Sequence, residues 1–329
     1  MNHINWNKCP FSAFPRKGVL DVSSHCPLPL PGLLHDRIDR TTARLINSAG
    51  PTIDFSTPKG EAALTAADSV SWRIFKNQIS LFIGGIAAVL LEFAEPKVRD
   101  GVWQHSTFRH DALTRLQRTG LAAMVTVYGA RSQAEAMIAG VVRRHSRVDG
   151  RTSNGEAYNA NDRELLDWVQ ATAGFGFMQA YHRFVRPLSA DERASLFREA
   201  RPAAELYGAR GAPASQMELD LLFASKGSRL EPSPILGEFL YIMRTVSALP
   251  GPARPLQLLL LKAAIEILPE WIRQRLELGR KWSLTHLERA TVKIAARTAD
   301  RLVLKFSPPI QACRRLGLPD DFLYRPITQ

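Results

Sequence analysis

Three stretches begin alike: a small polar residue, glutamate three positions later, then apolar side chains recurring every third or fourth position. They are Ser132-Gln-Ala-Glu135, Asn161-Asp-Arg-Glu164 and Ser189-Ala-Asp-Glu192. Such a pair satisfies two of the amide groups left free at a helix start. The segment opened by Asn161 can run about 25 residues before the Arg186-Pro187 step stops it. Asp111 marks another start. Long Ala/Leu/Arg/Glu-rich runs dominate, and nothing alternates with the period of two that a strand needs. The pattern predicts an all-α chain: a single multi-helix domain over 66–305, preceded by an irregular N-terminal wrap (1–65) with one helix near Leu33–Ala49. A C-terminal tail (306–329) follows. Gly150–Asn159 reads as a loop, and Pro232-Ser-Pro234 and Leu249-Pro-Gly-Pro252 punctuate the last third.

With 329 residues, 45% of them hydrophobic, the chain can bury a large core. Ile79–Leu91 and Leu256–Leu261 are apolar but shorter than the roughly 20 residues that span a bilayer, so both read as buried helix. Cys9, Cys26 and Cys313 lack CxxC spacing, which argues against zinc and disulfides. The polar N-terminus has no apolar signal core, and a soluble cytoplasmic protein is expected. The net charge of +12 is spread along the chain without a block of five or six, and no helix-turn-helix or aromatic RNA motif is present. A nucleic-acid partner is therefore disfavoured. PLQLLLLKAAIEILPEW is amphipathic enough for peripheral membrane contact, although a core helix explains it as well.

The stretch VVRRHSRVDG (Val141–Gly150) carries one histidine among arginines. On the helix opened near Ser132, Ala134, Met137, Ile138, Val141, Val142 and Val148 share a face. His145 falls inside that face, Arg144 at its edge, and Arg143 and Arg147 outside. His145 is predicted to be buried or pocket-facing. Periodicity leaves two readings open: a core histidine bonded to a backbone carbonyl, or a metal or haem-iron ligand, with Arg144 reaching an anionic group such as a propionate. His105, on a face with Val98 and Val102, is its rival, and His182 is expected to be exposed. On the preceding helix Arg115 and Thr119 are four apart, with Arg118 beside Arg115. They read either as a solvated edge with a back-bonded threonine or as a polar cluster on an apolar pocket wall.

From Ser71 to Tyr207 the chain resembles the latex-clearing protein (rubber oxygenase)/mpaB-type oxygenase family. The pieces are SWRIF, VLLEFAEPKVRDGVWQHSTF, Arg115-x-x-Arg118-Thr119, VVRRHSRVDG, GEAYNANDRELLDWVQAT and YHRFVRPLSADER, in family order, with Ile267–Trp271 fitting later. The resemblance implies a globin-related helical core around a haem b pocket, O₂ as co-substrate, and His145 as the proximal iron ligand. It also implies a distal element of Arg115, Arg118 and Thr119. Arg118 stands where rubber oxygenases carry lysine, so a lysine-ligated resting state does not transfer. Glu95 stands where many relatives have histidine; Glu95 or Glu92 could serve as a pocket base. The implied function is a haem-dependent oxygenase on a small apolar, isoprenoid-like substrate, with an unidentified electron donor. A non-catalytic haem or gas-sensing protein is the alternative.

Overall fold

The computed structural model describes residues 27–28, 53–249 and 251–325. The helix expected near Leu33–Ala49 lies outside them. Among the described residues the apolar periodicity becomes thirteen α-helices: α1 (Val70–Phe75), α2 (Gln78–Ala94), α3 (Pro96–His105), α4 (Ala112–Tyr128), α5 (Arg131–His145), α6 (Arg163–Phe184), α7 (Ala190–Tyr207), α8 (Gln216–Lys226), α9 (Pro234–Thr245), α10 (Arg254–Glu266), α11 (Glu270–Arg275), α12 (His286–Asp300) and α13 (Pro308–Arg315). The fold is all-α.

Capping follows the sequence in part. Ser189 accepts from the Glu192 amide and Glu192 accepts from the Ser189 amide, the reciprocal pair predicted. Asp111 caps α4. The other two starts shift. Helix α5 opens at Arg131 after Ala130, and Ser132 instead bonds the Glu61 carboxylate through its amide (2.6 Å) and hydroxyl (3.0 Å). Helix α6 opens after Asp162, and the Asn161 side chain turns back to the Val142 carbonyl (3.3 Å). In both cases a tertiary acceptor outcompetes the local cap.

Helices α2 and α6 form the centre. Gly84 and Gly176 sit at their crossing, where the backbones touch. A Cβ on Gly84 would lie 2.7 Å from the Gly176 carbonyl oxygen, and one on Gly176 would lie 2.3 Å from the Gly84 oxygen. Only paired glycines permit this approach. The larger apolar cluster fills the space between α2, α3, α6 and α8–α12, with Trp168, Phe93, Phe184 and Phe239 fully buried. Both apolar runs read as buried helix lie in it. A second cluster joins Phe55, Leu64 and Trp72 to α4, α5 and α13.

Two expectations change. The loop over Gly150–Asn159 contains a short antiparallel hairpin, Asp149–Arg151 against Ala157–Asn159, held because Tyr158 is buried and bonds Gln104 (3.0 Å). Residues 306–325, expected as a tail, include α13 and pack into the second cluster. Arg315 is buried there and donates to the carbonyls of Glu61 (2.8 Å), Phe55 (2.9 Å) and Tyr128 (2.8 Å). No single described helix is long and apolar enough to cross a membrane; only α2 and α3 together reach that length, and they are bent by 107°.

Candidate active site

His145 is the last residue of α5. Its ring is half-buried, and its Nδ1 is fully buried without a hydrogen-bond partner. A buried polar atom left unpaired costs about 1–3 kcal/mol, so an orphaned imidazole nitrogen marks a place where a hydrogen-bond partner is expected. Burial pulls the imidazole pKa below its usual value, with the charges of Arg144 and Arg115 acting in the same direction. All three effects keep the ring neutral, the form that donates a lone pair to a metal.

Arg115 lies on the adjacent helix α4. Its guanidinium donates to Thr119 Oγ1, and Thr119 Oγ1 donates to the Arg115 carbonyl (2.9 Å). The threonine thus back-bonds its own helix, as the first reading of this pair has it, and also receives the arginine. Burial lowers the Arg115 pKa, Glu92 opposes that shift, and Arg118 adds to it. Arg118 and Thr119 are exposed.

Glu92 comes from the end of α2. It retains some accessible surface but is surrounded by protein. Burial pushes its carboxyl pKa up to about 7, against the opposing pull of Arg115 and a long hydrogen bond from Thr172 Oγ1 (3.5 Å). A carboxyl group poised near neutrality beside a guanidinium can hold or release a proton at working pH.

Of the two acids, the structure brings Glu92, and not Glu95, to Arg115. Glu95 is fully buried elsewhere. Its Oε2 caps α3 by accepting from the Val98 amide (2.9 Å), and its Oε1 lies 3.3 Å from Arg229 Nη2 without hydrogen-bond alignment. The sequence carried a signal for this role, since Glu95 immediately precedes Pro96 at the first turn of a helix. The signal for Glu92 was missing, because it depends on which turn of α2 comes near Arg115.

Arg144 is exposed at the rim and pairs with no acid among the described residues; Arg143 and Arg147 are exposed as expected. The rival His105 is exposed, its ring edge-on to Tyr158. His182, expected outside, is half-buried because its Nδ1 accepts from the Leu188 amide (2.9 Å) and closes the turn after α6. No group of three or more His, Cys, Asp or Glu able to hold a bare metal ion occurs among the described residues. Two surface clefts lie apart from these residues: one of about 590 Å³ beside α9, the other of about 260 Å³ beside Trp271.

No curated protein and no solved structure matches the chain. The family model described as "ER-bound oxygenase mpaB/B'/Rubber oxygenase, catalytic domain" matches residues 72–301, more than two thirds of the sequence, from α1 to the end of α12. The span takes in His145, Arg115, Thr119 and Glu92, and by it the chain belongs to this family of oxygenase catalytic domains and is an oxidoreductase.

Proposed function

We propose that the protein is a haem b-dependent oxygenase that uses O₂ on a small apolar, isoprenoid-like substrate, with His145 holding the iron. The observation that carries this reading is a half-buried imidazole at the end of α5, held neutral by its surroundings, within the span matched by the oxygenase family. A porphyrin brings four nitrogens of its own, so one neutral imidazole completes its attachment. When bound, the haem supplies the site for O₂ activation. The chain supplies the surroundings. Arg115, oriented by Thr119, presents a guanidinium to developing negative charge. Glu92, with a pKa pushed up to about 7, can take up or release a proton near neutral pH. Arg144, free at the rim, suits a propionate. Arg118 adds positive charge one turn from Arg115 and lacks the flexible amine of a lysine. Glu95 belongs to this set only as a support that fixes the turn between α2 and α3.

The test is the absorption spectrum after reconstitution. The wild-type chain is expected to bind one haem with a Soret band, His145→Ala to lose stoichiometric binding, and His105→Ala to retain it. No Soret band in the wild type overturns the proposal. A His145→Ala protein that still binds one haem reassigns the ligand.

A further inference from the structure

The segment after His145 folds back against the end of α5. The Val148 amide donates to the His145 carbonyl (3.0 Å), and the Ala160 amide donates to the Val148 carbonyl (2.8 Å). This brings Asn161 to the last turn of the helix, where its Nδ2 donates to the Val142 carbonyl (3.3 Å). The same carbonyl accepts from the Ser146 amide (3.1 Å), the residue next to His145. A carbonyl can only accept, so the amide nitrogen of Asn161 must face it, and Oδ1 is turned away. That oxygen is buried with no partner. Side chains on a helix lean back over the preceding turn, which sets the His145 ring beside residues 141 and 142. Two orphans of complementary type, an acceptor on Asn161 and a ring nitrogen on His145, therefore belong to the same last turn of α5.

We infer that Asn161 is the positioning residue for His145: its Oδ1 accepts the Nδ1 proton, directly or through one water, and so leaves Nε2 unprotonated with its lone pair free. A neutral imidazole carries one proton, and the partner of one nitrogen decides which nitrogen is left to bind. Ligand histidines are commonly fixed in this way by an acceptor behind them. The inference rests on the proposed haem function only for what Nε2 then holds; the tautomer itself belongs to the chain alone.

The test uses the full-length, haem-free chain labelled with ¹⁵N-histidine at about pH 8, where histidine is neutral. Long-range ¹H–¹⁵N correlations report which ring nitrogen is protonated, and His145→Gln identifies the signal. The wild type is expected to carry the proton on Nδ1. Asn161→Leu is expected to lose most of that population, and Asn161→Asp, which keeps the acceptor, to retain it. A wild-type His145 protonated on Nε2, a leucine variant indistinguishable from wild type, or an aspartate variant that behaves like leucine each overturns the inference. A chain with the expected tautomer that never binds haem overturns the function proposed above and leaves this inference standing.

Discussion

A carboxyl group that keeps its proton to about pH 7 makes the folded protein sensitive to pH in an unusual direction. Glu92 ionises near its ordinary value of 4.5 when unfolded and near 7 when folded, because burial penalises the charge. Between these values the native state holds more protons, so this residue's contribution weakens as pH rises from 4.5 to 7 and levels off above that. Glu92→Gln removes the dependence. Urea unfolding at pH 5 and pH 8 is expected to show the variant gaining on wild type by on the order of 2 kcal/mol at the higher pH. An equal difference at both pH values would place Glu92 in solvent. At this scale the sequence was informative where one helix sufficed. The phase of His145 on its apolar face, and the pairing of Arg115 with Thr119, are local. The choice of Glu92 over Glu95 was hidden, since it depends on which turn of α2 reaches Arg115. Asn161 was hidden too, because a capping pattern competed with the tertiary bond it makes.

The helices were legible from apolar spacing, and their ends were less so wherever a side chain found a distant acceptor, as at Ser132. The meaning of Gly84 and Gly176 was illegible, because each is explained only by the other. Glycines at the crossing and away from it predict opposite outcomes for the same substitution. Gly84→Ala or Gly176→Ala forces a methyl group into backbone, at a cost of about 1–3 kcal/mol or more. Gly174→Ala, on the exposed side of the same helix with nothing within 4 Å, is expected to be neutral or to stabilise by up to about 1 kcal/mol. Denaturant midpoints for the three variants decide this; equal midpoints would mean that the helices do not touch.

For the molecule as a whole, the last residues close the structure. Lys76 pairs with Asp300 (2.8 Å) and lies over the ring of Tyr324 (4.6 Å), whose hydroxyl donates to the Leu302 carbonyl (2.7 Å). Arg73 donates to the Arg325 carbonyl (2.9 Å), and Arg315 ties three separate backbone segments together. A segment with one eight-residue helix gives little periodic signal, so its reading as a tail followed from its shortness. Ending the chain after Lys305 would strand these carbonyls and open the second cluster. Such a protein is expected to lose its cooperative thermal transition and its near-ultraviolet circular dichroism; melting within a few degrees of the full chain would refute the closing role. The Gly84–Gly176 crossing has a mechanical corollary. Where two backbones already touch, α2 and α6 can neither close further nor slide without a clash, so the crossing works as a fixed pivot: the turns that carry Glu92 and Thr172 keep their spacing whatever the outer helices do.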